Sequence, residues 1–547
     1  MRISGNIVDV VARDIYPGTV SFGETVTAVE PGGGPYDTYL VPGYIDAHIH
    51  IESTMLMPAA FSWCVAPHGT AAVVADPHEI ANVCGMDGIA LMMKDAQRAY
   101  ADIYFAAPSC VPASPFETSG ATLGPDEIRS LLSLDRVVAL GEMMNYPGVI
   151  AGDPDCRAKL AAAREAGNPV DGHCPGLSGQ DLAAYVSAGP STEHECTTLD
   201  EAREKAAAGL RILIREGSSA RNLSSLIGLE EAFAFCTDDR HVGDLLARGH
   251  MDHILSLAVA EGKDPVDALR MATWNPARHY GLSAGAIAPG RPAHLLVLGT
   301  LTAFTPRHAY HRGRLVAKGG TACVPLPPAP RPVRVMKARN VTSADLAVPP
   351  GWRHHAIGAV DGSLVTAHLR GHVRGWQKLV VADRYGGRSV SACYVDGFGM
   401  EKCALAQTIA HDAHNIVATG SSDTLIIKAV AAVAAMGGGI AACDDRNLCT
   451  VALEVAGLMS TRDPEEVARD VRGVHRFLSA HGVTMDNAVT TLSFMALPVI
   501  PHLKLTDRGL VDVDTFSFME RAEGAKGRGG YASCRGEPPF HTTYEEP

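Results

Sequence analysis

Between about residues 39 and 277 the chain repeats one pattern. Eight short β-rich runs, at 44–51, 70–76, 102–108, 137–143, 169–174, 190–195, 211–218 and 232–239, alternate with Ala- and Leu-rich stretches. Most runs are followed by a segment long enough for a helix. Strands alternating with helices build a parallel sheet covered by helices. Eight such repeats in about 240 residues match the length of a (β/α)8 barrel of the TIM type. A doubly wound open sheet is the other architecture open to this pattern. No GxGxxG follows the first run to support a dinucleotide-binding version of it.

The flanks differ. The first forty residues read as short strands separated by turns such as Pro31-Gly-Gly-Gly-Pro35. Past the barrel, residues 285–298 read as turn then strand, and Gly313–Ala317 as another strand. Residues 1–40 and 280–323 are therefore expected to form one small β-sandwich domain, with the barrel spanning 41–279. The proline cluster from Val324 to Pro332 is stiff and marks a linker. Residues 333–547 are expected to form an additional C-terminal α+β domain. Its Gly/Arg-rich stretch 524–530 and polar tail read as mobile.

Composition narrows the function. The 547 residues carry 60 acidic and 47 basic side chains, a formal charge of −13. A negative surface repels phosphate backbones, which argues against general nucleic-acid binding. The 13 Cys are scattered without a CxxC, and the N-terminus lacks a basic flank with an apolar run. That combination predicts reduced, mostly buried thiols in a cytoplasmic protein. The longest apolar tract, about 426–442, contains Lys428 and three consecutive glycines. It is expected to be a buried helix and turn rather than a membrane span.

The 23 His matter through their placement. Run one ends in Asp46-Ala-His48-Ile-His50-Ile-Glu52. Alternate residues of a strand share a face, so His48 and His50 can grip one ion. Other runs end in Glu142, in Asp171-Gly-His173, in Glu193-His194-Glu195 and in Thr237-Asp238-Asp239. These are the C-terminal strand ends, where barrel enzymes place their catalytic groups. An isolated His at a strand end is more often a hydrogen-bonded structural residue, and HxH alone is a weak motif. Five strand ends offering ligand types in barrel order outweigh that reading. Imidazole with carboxylate suits Zn, Mn or Fe(II). His48, His50, His173 and His194, with a bridging Glu142 and Asp238, would hold two divalent ions. Such a pair makes water into hydroxide near neutral pH. Asp238 would then both bind metal and accept a proton.

Other signatures fail. His50-Ile-Glu52 fits H-x-E, but no PCxxC follows; His78-Glu79 and His194-Glu195 lack the second His of HExxH. Neither a Walker A loop nor a GxSxG elbow is present.

Several segments carry a resemblance. They are Val41-Pro-Gly-Tyr-Ile-Asp-Ala-His-Ile-His-Ile-Glu-Ser-Thr-Met55, Pro67-His-Gly-Thr70, Ala75-Asp-Pro-His-Glu-Ile-Ala-Asn82 and Asp171-Gly-His-Cys-Pro-Gly-Leu-Ser-Gly179. Glu193-His-Glu195, Ile214-Arg-Glu-Gly217, Cys236-Thr-Asp-Asp239 and Ala410-His-Asp-Ala-His-Asn-Ile416 belong with them. Over nearly the whole chain the sequence resembles the amidohydrolase superfamily, and within it the adenine deaminase family. VPGxIDxHxH marks the superfamily only; HIHIEST, ADPHEIAN and HDxHN are more specific.

The resemblance implies a binuclear hydrolase converting adenine and water to hypoxanthine and ammonia. It implies the same six metal ligands, with Mn or Fe(II) preferred and Zn admissible. Glu142 stands where many superfamily members carry a carboxylated Lys. A hydroxide would attack C6, and Asp238 would relay the proton to the leaving amine. Glu52, Glu79 and Glu195 are candidates to protonate the purine ring, although Glu52 could instead support a ligand. His78 could contact the purine or cap the following helix. Arg215 could bind the base edge or form an ion pair, as could Glu216; Ser218 and Asn222 are weaker candidates. His294 departs from the superfamily's usual Asp, with little expected effect on catalysis. His411, Asp412 and His414 could hold a further metal, close over the substrate or form a structural loop.

The resemblance also implies a homodimer or homotetramer. The rival readings are another cyclic amide or amidine hydrolase (dihydroorotase-like, hydantoinase-like or guanine-deaminating) and a non-catalytic scaffold. Scaffolds usually lose ligands, and here all six positions are filled.

Overall fold

A computed structural model describes residues 1–230, 232–361, 363–371 and 375–522. The stretch 524–530 and the tail, expected to be mobile, lie outside them. The chain forms two compact units. The first comprises Met1–Val111, Ala121–Pro332 and Leu458–Arg469; the second comprises Pro112–Gly120, Val333–Gly457 and Asp470–Pro547. The passage at Pro332–Val333 falls at the end of the proline cluster. Pro112–Gly120 and Leu458–Arg469 are not where a contiguous division of the chain would put them.

In the first unit, β1 (Arg2–Asp9), β2 (Asp14–Phe22), β3 (Val26–Pro31) and β4 (Tyr39–Pro42) precede the barrel. The eight expected runs then each contain a strand: β5 (Tyr44–Ile49), β6 (Thr70–Ala75), β7 (Asp102–Ala107), β8 (Val137–Met143), β9 (Val170–Gly172), β10 (Thr192–Glu193), β11 (Arg211–Arg215) and β12 (Ala234–Cys236). All described pairings among them are parallel. Two further parallel bridges complete the ring, Val170 with Pro190 and Ile49 with Asp238. The closing seam is also polar. Thr237 donates from N and Oγ1 to the two oxygens of buried Asp46, at 3.1 and 2.6 Å. Strands buried on both faces fit a barrel wall wrapped by helices. The helix Pro154–Ala166 shows how the wrapping is specified. Asp153 caps it by accepting from the Asp155 and Cys156 amides, Pro154 opens it, and Gly167 at φ 75° ends it.

The flanking strands are β13 (Leu295–Leu298), β14 (His308–His311), β15 (Arg314–Lys318) and β16 (Thr321–Ala322). The sandwich expected here takes the form of one eight-stranded sheet, ordered β16-β15-β14-β13-β4-β1-β2-β3. β4 stitches the flanks together, running parallel to β1 and antiparallel to β13. The sheet then curls, because Val26 exchanges backbone hydrogen bonds with Arg291 and Gly290, both at 2.9 Å. Ile7, Val20, Phe22, Leu40, Leu295 and Val297 fill the curl.

The second unit holds an eight-stranded sheet ordered β18-β17-β20-β19-β22-β21-β23-β24. Its strands are β17 (His355–Gly358), β18 (Ala367–Arg370), β19 (Gln377–Ala382), β20 (Val390–Asp396), β21 (Ala404–Gln407), β22 (Ile416–Gly420), β23 (Gly439–Cys443) and β24 (Leu448–Ala452). A small sheet follows, from β25 (Leu503–Thr506), β26 (Gly509–Asp512) and β27 (Ser517–Phe518). The apolar tract is the helix Asp423–Met436 running into β23. Its Leu425, Ile426, Ala429, Val430 and Val433 recur at helical spacing and pack on Val380, Ala406, Ala418 and Ala441. No helix among the described residues is long and apolar enough to cross a membrane.

Candidate metal centre and active site

The strand ends bring the six expected ligands into one buried cluster. Glu142, at the end of β8, is its hub. Oε1 lies 3.1 Å from His50 Nε2 and 3.7 Å from His48 Nε2. Oε2 lies 2.7 Å from His173 Nδ1 and 3.5 Å from His194 Nε2. One carboxylate thus offers one oxygen to each of two imidazole pairs. Asp238 joins the first pair, with Oδ1 3.0 Å from His50 Nε2 and 3.7 Å from His48 Nε2. The alternation predicted for His48 and His50 is realised, with their Nε2 atoms 3.2 Å apart. Three of the donor triads have ligand atoms close enough to share an ion: His48, His50 and Glu142; Glu142, His173 and His194; and His48, His194 and Asp238.

Local structure fixes these side chains. His50 Nδ1 lies 3.0 Å from the Asp76 carbonyl, which leaves Nε2 to face the cluster. The Glu142 amide donates to Asp76 Oδ2 at 3.0 Å. Gly141 permits this, because a Cβ there would overlap Asp76 Oδ2. Tyr185 OH accepts from the His173 amide and donates to the Met143 carbonyl, at 3.0 and 2.9 Å. Glu193, buried against Lys205, accepts from the Cys174 and Glu195 amides and so braces both strand ends that carry the second imidazole pair.

Electrostatics follow from this packing. Burial pushes Glu142 up, but hydrogen bonds from His173, His194 and His50 outweigh it and hold the carboxyl well below its usual range. Burial is likewise outweighed at Asp238, by His48, His50 and Arg215. Glu52 behaves oppositely. Burial, with the nearby Glu79 charge adding to it, pushes Glu52 up to about 7. Glu52 Oε1 accepts from the Ile80 amide at 3.2 Å, while buried Oε2 makes no hydrogen bond. Glu79 is buried, 3.6 Å from His78 Nε2. His78 itself opens the helix His78–Ala96, yet its Nδ1 lies 3.5 Å from Glu142 Oε1 and its ring packs edge-on against His50.

Arg215 meets carboxylates. It donates to both oxygens of Glu195, at 2.5 and 3.0 Å, and to Asp238 Oδ2 at 2.7 Å. Of its two expected roles, the geometry supports the ion pair. Asn222 accepts from Arg215 Nε at 3.2 Å, and Ser218 accepts from the His241 amide at 2.9 Å. Glu216 accepts from the Leu223 amide at 3.2 Å.

His294 lies elsewhere, at the entry of β7. Its Nε2 is 3.1 Å from Asp102 Oδ2, its ring stacks on His311, and Arg312 also pairs with Asp102 at 2.8 Å. In the second unit, His411 stacks on Phe494 at 4.8 Å, and His414 Nδ1 contacts the Ala410 amide and the Thr408 carbonyl, both at 3.2 Å. Asp412 is buried in the same loop.

Asp76 was missed as a site residue. It is buried, it holds the Glu142 amide, and its Oδ1 lies 3.6 Å from His78 Nδ1. The rule that singled out Glu142 and Asp238, a carboxylate at the C-terminal end of a run, applies to it equally.

Residues 39–342 match the amidohydrolase family, and residues 357–517 match the adenine deaminase C-terminal domain. The adenine deaminase of Methanothermobacter thermautotrophicus is 44% identical over 545 residues, covering 95% of this chain and 100% of that protein. Those of a Sulfurovum species and of Salinibacter ruber are 42% and 44% identical, each covering 95% of this chain and 99% and 98% of theirs. The chain belongs to the adenine deaminase family of amidohydrolases.

Proposed function

We propose that this protein hydrolyses adenine to hypoxanthine and ammonia at a binuclear metal centre. The observation that carries the reading is Glu142, whose two oxygens face two separate imidazole pairs. Two cations fit that arrangement: His48, His50 and Asp238 would hold one, His173 and His194 the other, with Glu142 between them. All donors are imidazole nitrogen or carboxylate oxygen, the set expected for Mn or Fe(II), with Zn admissible. When bound, such ions supply Lewis acidity and a hydroxide nucleophile near neutral pH.

The chain's own residues supply the proton transfers. Asp238 turns Oδ1 toward the imidazoles while Arg215 holds Oδ2. Asp238 is therefore the base that takes the nucleophile's proton and returns it to the amine leaving C6. Glu52, which burial pushes up to about 7, can carry a proton near neutrality and is our candidate to donate to a purine ring nitrogen. Glu79 sets the charge beside it, and His78 contacts the purine. Glu195, expected at the substrate, is read here as the partner of Arg215. The organisation into a β domain (1–40 with 280–323), a catalytic barrel (41–279) and a C-terminal domain (333–547) is part of the same reading. So are a cytoplasmic location and a homodimeric or homotetrameric state.

The test is to load the protein with Mn²⁺ and supply adenine, guanine, dihydroorotate and hydantoin in parallel. Ammonia and hypoxanthine from adenine are expected. Turnover of another ring with none of adenine would overturn the substrate assignment.

A further inference from the structure

We infer that Arg215 is a positioning residue that ties the two halves of the metal centre together, rather than a contact to the substrate. The inference deepens the binuclear reading above and rests on it. β11 lies between β10 and β12 in the sheet, and Arg215 is its last residue. From there the guanidinium reaches both neighbours, Glu195 beyond β10 and Asp238 beyond β12. Glu195 follows ligand His194 directly, and Asp238 is a ligand of the other pair. Arg215 thus links the strand that serves one cation to the strand that serves the other.

The donor count leaves little for a substrate. A guanidinium has five N–H groups in a fixed fork. Four hydrogen bonds are already made, two to Glu195, one to Asp238 and one to Asn222. Arg215 is 2% exposed, so these bonds are made away from bulk water. Charge-assisted, two-pronged pairs of this kind fix geometry as well as energy.

Asp238 needs such a hold. Its φ is 56°, in the left-handed region that residues other than glycine seldom adopt. The backbone reaches this turn through Asp238 N to His48 O at 3.0 Å and His50 N to Asp238 O at 3.1 Å. Those bonds place the residue but leave χ1 and χ2 free. Arg215 on Oδ2 sets them, so that Oδ1 alone faces His48 and His50. Glu195 is oriented in turn: its Oε1 lies 3.4 Å from His194 Nε2 and 3.7 Å from His173 Nδ1, while both its oxygens are held by Arg215.

The experiment compares wild type, Arg215→Gln, Arg215→Lys and Glu195→Gln, with circular dichroism as the folding control. Mn²⁺ affinity is measured by titration of metal-free protein, independently of activity, and kcat and KM are measured with adenine. Loss of a residue that orients ligands costs about 10–100-fold in metal affinity or rate. Arg215→Gln should show that loss in Mn²⁺ affinity and kcat, with KM for adenine little changed. Arg215→Lys keeps the charge without the fork and should recover only part of it. Glu195→Gln keeps side-chain size and probes the same clamp if the arginine variants do not fold; it too should weaken Mn²⁺ binding. Wild-type Mn²⁺ affinity and kcat in folded variants, with a raised KM, would make Arg215 a substrate contact and overturn the inference. A wild-type chain that binds no Mn²⁺ would instead overturn the binuclear reading on which it rests.

Discussion

Glu142 holds His173 at 2.7 Å through Oε2 while its other oxygen points to His50, 3.1 Å away. A carboxylate placed in this way would serve both cations of the proposed centre, and glutamine could not, because its NH₂ has no lone pair to offer. Glu142→Gln is expected to leave the fold intact and to lower Mn²⁺ content from about two ions per chain toward one or none. Elemental analysis of the loaded protein checks this. Two tightly held ions in the variant would show that Glu142 does not bridge them.

Asp238→Asn tests the proton relay. The amide keeps the size of the side chain and its position beside Arg215 but cannot accept a proton. A positioned acid–base group contributes about 10²–10⁴-fold to rate, so kcat should fall by that order. Steady-state kinetics with Mn²⁺-saturated protein measures it. A near-normal kcat would remove Asp238 from the relay.

Lys504 carries a pH prediction in the second unit. It is fully buried, donates to the Leu364 and Phe494 carbonyls at 3.0 Å each, and burial pushes it down to about 7. A lysine depressed in the folded state disfavours folding increasingly as pH falls from about 10 toward 7, by an amount on the order of a few kcal/mol. Relative to Lys504→Met, wild type should therefore lose stability across that window. Denaturant unfolding of both proteins at pH 7 and pH 10 checks the sign. A difference that does not change with pH would mean the lysine titrates normally.

His411→Ala separates structure from chemistry in the HDxHN loop. The ring stacks on Phe494 with an interplanar angle of 9°, so its removal should cost about 1–3 kcal/mol of stability. Metal content, kcat and KM should stay at wild-type values. A loss of metal or turnover without loss of stability would give the loop a functional role.

Much of the site was legible because strand geometry is simple. A period of two put His48 and His50 on one face, and the barrel pattern gathered Glu142, His173, His194 and Asp238 at one rim. What stayed hidden depends on side-chain reach across strands. Nothing local in Ile214-Arg-Glu-Gly217 distinguishes a base-binding arginine from one that pairs with Glu195 and Asp238. Asp46 stands two residues before His48 in the same alternation, yet it bonds Thr237 at the barrel seam, with His250 Nε2 3.2 Å away. Asp171, beside His173, is likewise spent on Thr192 and Tyr280, each at 2.9 Å. The segments 112–120 and 458–469 gave no sign of their unit, because no change in composition marks a chain that leaves one unit and returns.

In the proposed reaction, water replaces the exocyclic amine of adenine at this centre. It is tested by turning over adenine in H₂¹⁸O with Mn²⁺-loaded protein and analysing the purine by mass spectrometry. Hypoxanthine carrying ¹⁸O at C6 is expected, with one ammonia for each adenine consumed. Adenine left intact by a folded chain that holds both ions would contradict it.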